Sequence, residues 1–184
     1  MTTERRGIFR MKRNVILYIG MSLDGYISGE NGELDWLEGT EGVGDNGYSE
    51  FYETVDTVIM GNTTYQEVLG FDVPYPYTGI QNYVFSKTRT GRDEHVTFVN
   101  GDVKSFIAEL KQQEGKQIWL VGGGKIVQSF LQEGLIDEMI ISIAPVILGK
   151  GIPLFIGGVP ETQYELKKAE QLNQFVQLTY EKKK

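Results

Sequence analysis

The feature that most constrains the fold is a series of apolar, β-branched runs that each end in glycine. Residues 14–20 read NVILYIG, residues 57–61 read TVIMG, and residues 117–124 read QIWLVGGG. Continuous apolar runs of this length are typical of strands that are covered on both faces, as in a parallel sheet. Segments with helical character follow the second and third runs, so the pattern predicts an α/β domain with a mainly parallel sheet.

The other predicted elements continue this alternation. We predict further strands at residues 82–86, 96–99, 139–144 and 175–180, and helices at residues 48–54, 63–69 and 103–113 and after the glycines up to about 133–134. Asp102 is the predicted cap of the third helix. The last two strands have no helix between them, which favours an antiparallel edge. Residues 29–47 are polar and rich in glycine and are predicted to form a long surface loop.

Composition limits the classes of protein and of chemistry. A chain of 184 residues with 40% hydrophobic content suits one domain, which we expect at residues 12–184 after a disordered extension at residues 1–11. The chain has no cysteine, which excludes disulfides and thiolate chemistry. No apolar run reaches the roughly 20 residues of a membrane span, and no signal-type segment is visible, so we expect a cytoplasmic protein.

Charge is distributed unevenly along the chain. The formal net charge of -7 makes a nucleic-acid-binding surface improbable. Residues 14–86 contain twelve acids and no lysine or arginine. A pocket built from this half therefore has no cationic side chain to hold an anionic ligand, which must rely on backbone N–H groups or on residues from Lys87 onwards.

Three strand ends carry groups that suit an anion. Gly122, Gly123, Gly124 and Lys125 form a turn into a helix, where backbone N–H groups could bind a pyrophosphate. This turn matches neither the P-loop nor the dinucleotide fingerprint, and the alternative is a tight turn that merely avoids steric clash. Gly61, Asn62, Thr63 and Thr64 form a similar turn, for which helix capping is the alternative, and Ser86 and Lys87 follow a third strand. Since ligands of open α/β sheets bind beyond the carboxyl ends of strands, one phosphate-rich cofactor would account for all three.

The order of motifs resembles one known family. The segments SLDGYIS, DWL, DTVIMGNTTYQEV, NYVFSKT, IWLVGGGKIVQSFLQEGLIDEM and PVILGKGIPLF are similar to the family that unites dihydrofolate reductase with the reductase domain of riboflavin biosynthesis. The resemblance implies a three-layer dihydrofolate reductase-like fold. It also implies NADPH across the sheet, with its phosphates at the Gly61–Thr64 and Gly122–Gly124 turns and its 2′-phosphate near Ser86 and Lys87. Asn62 stands where many relatives carry an arginine for that phosphate.

The same resemblance points to three residues of the reaction site. Asp24 could contact nicotinamide or substrate, and a turn-forming Asp-Gly pair is the alternative. Trp36 is similar to the tryptophan that lines the substrate pocket, although it could equally serve packing. Asp45 resembles the active-site carboxylate of the folate enzymes, and a helix-capping role is the alternative. As an acid it would work best with a pKa raised by burial.

These observations predict an NADPH-dependent reductase of a small heterocyclic compound, related to the pyrimidine reductase of riboflavin biosynthesis. The alternative is a non-catalytic nucleotide-binding or ligand-sensing module on the same fold. No metal site is predicted. We also expect a homodimer, because residues 140–148 form an apolar segment that reads as an exposed edge, unless that strand is covered by its own domain.

Overall fold

The computed structural model describes residues 12–38, 40 and 42–184, and for Glu38 it describes the backbone alone. The predicted extension at residues 1–11 therefore lies outside the described residues, apart from which the elements follow in chain order. The strands are β1 (Val15–Met21), β2 (Tyr26–Ser28), β3 (Val55–Gly61), β4 (Gln81–Phe85), β5 (Gly91–Arg92), β6 (Thr97–Val99), β7 (Gln117–Gly122), β8 (Glu138–Ile143), β9 (Ile152–Pro153), β10 (Tyr164–Leu172) and β11 (Phe175–Lys182). The helices are α1 (Asp35–Glu38), α2 (Tyr48–Glu53), α3 (Asn62–Leu69), α4 (Val103–Gln112) and α5 (Gly124–Gln132).

A nine-stranded sheet in the order β10-β11-β8-β1-β7-β3-β4-β6-β5 forms the centre of the molecule. The pairs from β8 through β6 are parallel, whereas β11 runs antiparallel to β8 and to β10, and β5 runs antiparallel to β6. The predicted mainly parallel sheet with an antiparallel edge is confirmed. Strands β2 and β9 pair separately.

Helices cover both faces of the sheet and complete three layers. On one face, Leu17 and Leu120 pack with Ile107 of α4 and Phe130 of α5 in a single buried cluster. On the other face, Ile16, Val58 and Trp119 pack with Phe51 of α2 and Tyr65 of α3. The alternation of side chains along each strand sorts the residues between these clusters, which is why the central strands read as uninterrupted apolar runs.

Some elements differ from the predictions. The segment 29–47 was expected to be a loop but contains α1, and β10 had no counterpart in the predicted elements. The expected edge at residues 140–148 is wrong, because β8 lies between β1 and β11 inside the sheet. Asp102 does cap α4, since its carboxylate accepts a hydrogen bond from the Ser105 N–H at 2.7 Å. Within the described ranges, no helix is both long and apolar enough to span a bilayer.

The first and last strands meet at Asp137, which precedes β8. Its carboxylate accepts a hydrogen bond from the Val15 N–H at 2.8 Å, and its carbonyl oxygen accepts one from the Lys182 N–H at 2.9 Å. Lys111 of α4 forms an ion pair with the same carboxylate at 2.5 Å. These contacts fix the beginning of β1 and the end of β11 on either side of β8.

Candidate functional site

The carboxyl ends of the parallel strands lie together at one edge of the sheet. Gly61, at the end of β3, is in register with Phe85 of β4, and Met60 is in register with Gly122 of β7. The three turns singled out in the sequence therefore lie side by side, as predicted for parallel neighbours. The following contacts establish what each turn offers a ligand.

The glycine turn after β7 combines an open backbone with one position dictated by packing. Gly122 has a φ of 130°, in the region that favours glycine, and the Gly122–Gly123 peptide is cis. A Cβ at Gly123 would lie 3.2 Å from Oγ1 of Thr64, so a side chain there would crowd the space between the two turns. A Cβ at Gly124 would lie 2.7 Å from the carbonyl oxygen of Pro153 in β9. Packing against β9 thus accounts for the third glycine without a ligand, whereas Gly123 leaves backbone accessible. Lys125 is exposed in the next helical position.

The turn after β3 leaves polar groups free at the start of α3. Gly61 is the N-cap residue, with no side-chain cap on the helix, so the capping role considered for Thr63 or Thr64 is not found. Oδ1 of Asn62 is buried and accepts no hydrogen bond from the described residues. A buried acceptor without a partner is costly, so this position is suited to a ligand that donates a hydrogen bond.

The turn after β4 divides a structural serine from a free lysine. Ser86 is buried, and its hydroxyl accepts hydrogen bonds from the N–H groups of Thr88 at 3.3 Å and Arg89 at 3.0 Å. Lys87 is exposed and forms no ion pair with the described residues, whereas Arg89 is engaged by Asp93 at 3.6 Å. Lys87 is therefore the available cation at this turn.

Asp24 holds two loops together. Its carboxylate accepts hydrogen bonds from the Ser22 hydroxyl at 2.6 Å, the Leu148 N–H at 3.1 Å and the Gly149 N–H at 2.7 Å. The hydrogen bond from Ser22 makes the largest contribution to a lowered pKa of this carboxyl. Asp24 is thus ionised at neutral pH, and its three hydrogen bonds fasten the end of β1 to residues 148–149.

Asp45 occupies the position of a helix cap. Its carboxylate accepts hydrogen bonds from the N–H groups of Ser49 at 2.9 Å and Gly47 at 3.1 Å, at the start of α2. Hydrogen bonding to Ser49 lowers the pKa of Asp45, and the side chain is exposed. These contacts favour the capping alternative, because the raised pKa that would suit an acid is absent.

Trp36 lines a cavity of about 360 Å³ above the loop that follows β2. Its indole N–H is buried and donates to none of the described residues. Three acids and one lysine belong to the lining, which comprises Gly29, Glu30, Asn31, Glu33, Asp35, Trp36, Leu148 and Lys150. Lys150 forms an ion pair with Glu30 at 2.7 Å. Charge counting along the first half of the chain could not place this distant lysine in the pocket, although it was a recognised candidate for an anion contact.

Tested against NADPH, the strand-end residues fit the group. Gly123 leaves a backbone cradle, Oδ1 of Asn62 lacks a donor, and Lys87 is a cation without a protein partner. Phosphates bind well to backbone N–H groups at helix starts and to free cations. Asp24, Trp36 and Asp45 belong to separate loops, and of these Trp36 retains an unused hydrogen-bond donor.

Comparison with known proteins gives one family and several relatives. Residues 13–178 match the family model described as the RibD C-terminal domain. The uncharacterized protein YwjB of Bacillus subtilis (strain 168) is 49% identical over 171 residues, which cover 92% of this chain and 98% of YwjB. A putative riboflavin biosynthesis protein from Shewanella sp. PV-4 superposes with a TM-score of 0.86 at 35% identity, covering 93% of this chain and 99% of that one.

The fold extends to a more distant enzyme. Dihydrofolate reductase from Enterococcus faecalis, solved as a complex with NADP(H), superposes with a TM-score of 0.62 at 16% identity. The match covers 93% of this chain and 97% of that one. The dihydrofolate reductase-like fold is thereby confirmed.

Proposed function

This chain belongs to the RibD C-terminal domain family, and from that membership we propose that it is an NADPH-dependent reductase of a small heterocyclic compound. The observation that carries the proposal is the meeting of three turns at one sheet edge, where Asn62 and Lys87 have no protein partner. One phosphate-rich cofactor would use all three turns together.

NADPH, when bound, supplies the hydride for the reduction of a C=N or C=O bond. The chain supplies alignment: Gly122 and Gly123 admit the pyrophosphate to the backbone, with Gly61, Thr63 and Thr64 on the adjacent turn. Lys87 neutralises the 2′-phosphate, with Ser86 holding its turn, and Lys125 adds a cation beside the glycines. Holding two reactants in register is a large part of rate enhancement in such enzymes.

The reduction also needs a proton. Because hydrogen bonds lower the pKa values of both Asp24 and Asp45, neither carboxyl holds a proton at neutral pH. We therefore propose water as the proton donor, with the free indole N–H of Trp36 as a hydrogen-bond donor that orients the substrate or that water. Asp24 and Asp45 then contribute to the site by fixing its loops.

The pocket beside Trp36 favours substrates without a negative charge. Its lining contains three carboxylates, on Glu30, Glu33 and Asp35, against the single ammonium of Lys150, which Glu30 already neutralises. A neutral or cationic heterocycle, such as a pterin or an aminopyrimidine, meets less repulsion there than a phosphorylated one. The proposed substrate is thus related in its ring to that of the pyrimidine reductase but lacks its phosphate.

The second candidate is a sensor that binds the nucleotide without turnover. It is favoured by the engagement of Asp24 and Asp45 in loop and cap contacts, which leaves no carboxyl poised as an acid. A reductase oxidises NADPH when supplied with a panel of pterins, aminouracils and quinones, whereas a sensor binds NADPH and leaves its absorbance unchanged throughout the panel.

Thermal denaturation with NADPH tests the binding step. At a concentration about 100 times its dissociation constant, NADPH should stabilise the fold by about 2.7 kcal/mol, which raises Tm by roughly 5–10 °C. Gly123→Val should abolish most of this shift, because the side chain would crowd Thr64 where the pyrophosphate approaches.

Gly101→Val is the matched control, since a Cβ at Gly101 meets no atom within 4 Å. It should leave the NADPH-dependent shift intact. An unchanged NADPH affinity in a folded Gly123→Val protein would show that the glycine turn serves packing alone.

The proposal includes a cellular setting. We place the enzyme in the cytoplasm as a homodimer, acting on a small molecule and not on nucleic acid, and we assign residues 12–184 to one catalytic domain. The net charge of -7 and the lack of cysteine are compatible with this setting.

A further inference from the structure

A second cavity lies on the face of the sheet that carries α2, and it shares no lining residue with the Trp36 pocket. Its volume is about 430 Å³, within the range of roughly 300–1,000 Å³ that is usual for small-molecule pockets. We call it the sheet-face groove. It lies between α2 on one side and β10 on the other.

The floor of the groove is a row of side chains from four neighbouring strands. Tyr18 of β1 is in register with Ile140 of β8, Ile140 with Thr179 of β11, and Thr179 with Lys168 of β10. The Tyr18 ring also stacks on Phe51 of α2, with ring centroids 4.1 Å apart. One half of the floor is therefore flat and apolar, which suits an aromatic group, and the other half is polar.

A side-chain bridge closes the end of the groove nearest the strand termini. Asn173, in the turn between β10 and β11, accepts a hydrogen bond from the Val43 N–H at 3.1 Å and donates to the Val43 carbonyl at 3.0 Å. It also donates to the Asn46 side chain at 2.6 Å. These three bonds tie the hairpin to the loop before α2, which separates the groove from the strand-end site.

The charged groups of the groove favour a cation. Three carboxylates line it, on Glu50, Glu138 and Glu170, and its only cationic lining residue, Lys168, is held by Glu170 at 2.5 Å. Glu138 is half-buried and has neither an ion pair nor a side-chain hydrogen bond with the described residues. Burial, followed by the charges of Glu181 and Asp137, raises the pKa of Glu138. A cationic ligand would relieve this cost.

Gln177 adds a second polar contact, independent of the carboxylates. Its side chain is only 8% exposed and lines the groove, and its Nε2 donates to the Ser142 hydroxyl at 2.9 Å. Oε1 of the same amide accepts no hydrogen bond from the described residues, so it is available to a donor in the groove. Glu138 and Gln177 lie four residues apart along the strand direction, since Ser142 is the register partner of Gln177.

We propose that the sheet-face groove binds a small aromatic amine, with its ammonium at Glu138 and Glu50, its ring on Tyr18 and Ile140, and a hydroxyl or N–H donor at Gln177. This site is separate from the proposed reductase site. Its occupancy requires no cofactor, so a failure of one proposal leaves the other unaffected.

Isothermal titration calorimetry of the full chain without NADPH tests the site, with tyramine as the probe. Its neutral analogue 2-(4-hydroxyphenyl)ethanol and its anionic analogue 3-(4-hydroxyphenyl)propanoate keep the ring and the phenol. Tyramine should bind at least about tenfold more tightly than either analogue, in line with the strength of a charge-assisted hydrogen bond. Equal affinities, or no saturation with tyramine up to about 10 mM, would overturn the proposal.

Variants locate the binding. Glu138→Gln should weaken tyramine about tenfold and leave the neutral analogue unchanged, whereas Glu109→Gln, the same change on α4 across the sheet, should affect neither. Equal effects of the two substitutions in folded proteins would show that only net charge is sensed. If Lys168→Glu dissociated a dimer detected by light scattering, the groove would be an interface between copies, and the amine site would be wrong.

Discussion

At the scale of single residues, the cofactor site is defined by polar groups that the protein itself leaves without partners. Asn62 has a buried acceptor, and Lys87 has a free ammonium, at the ends of adjacent strands. An amide cannot neutralise a phosphate, so the burden of recognising a 2′-phosphate falls on Lys87. The two residues make different predictions for NADPH and NADH.

Lys87→Ala should weaken NADPH binding by about 1–2 kcal/mol, roughly five- to thirtyfold, because it removes a charge-assisted hydrogen bond to the 2′-phosphate. NADH, which lacks that phosphate, should bind as before. Calorimetric titration of both cofactors measures the difference. Lys116→Ala, the same charge change at the opposite end of β7, is the control, and equal losses for NADPH and NADH in the Lys87 variant would contradict the assignment.

Residue patterns identified the candidate carboxylates but not their occupations. Asp24 and Asp45 were singled out as site residues, and the structure gives each of them two or three hydrogen bonds to neighbouring loops. The partners of Asp24 at Leu148 and Gly149 are more than 120 residues away in the chain. Such contacts set a pKa, and no local pattern contains them, which is why the direction of the shifts could not be predicted.

At the scale of elements, prediction succeeded where burial determines the residue types. Strands β1, β3 and β7 are buried on both faces, so their uninterrupted apolar runs identified them directly. Strand β10 reads YELKKAEQL and is almost entirely exposed or half-buried at the edge of the sheet. Its lysines protect an edge from pairing with other chains, and the same lysines removed the signal that would have predicted a strand.

The glycine turn supplies a prediction about how β9 packs on α5. A Cβ at Gly124 would lie 2.7 Å from the Pro153 carbonyl oxygen, so Gly124→Ala must displace β9 or the start of the helix. We expect a loss of stability of about 1–3 kcal/mol, as is usual when a packed site is overfilled. Urea denaturation measures it, with Gly101→Ala, at an open position, as the control. A variant as stable as the wild type would mean that β9 moves freely.

At the scale of the whole molecule, the asymmetry of charge predicts the order of substrates. The twelve acids of residues 14–86 create a negative potential over a distance of about 8–10 Å at physiological salt. At low salt, kcat/KM for a neutral pterin should therefore exceed that for dihydrofolate, and added salt should narrow the gap. If dihydrofolate were preferred at every salt concentration, Lys150 would have to leave Glu30 and bind the carboxylate.

The expected homodimer now rests on a different surface. With β8 inside the sheet, the apolar residues left exposed near the strand ends are Leu23, Ile147 and Phe155, with 59%, 73% and 47% of their surface accessible. Backbone hydrogen bonds join the first two segments, since the Leu23 N–H donates to Val146. Exposed apolar surface of this kind is typical of a contact between proteins.

Ile147→Asp should convert the dimer to a monomer, because a carboxylate would be buried without a partner in the contact. Light scattering at tens of micromolar measures the mass. Val43→Asp, at an apolar residue that is 88% exposed elsewhere, should leave the dimer intact. A monomer mass for the unmodified protein would remove the dimer from the proposal.

The contacts of Asp137 make this fold a candidate for circular permutation. Val15 at the beginning of β1 and Lys182 at the end of β11 bond to the same residue, and one strand separates them in the sheet. Two strand spacings amount to about 10 Å, which a linker of a few residues spans. New ends could then be opened in a surface turn such as the one at Gly101, while β1 keeps its central position between β8 and β7.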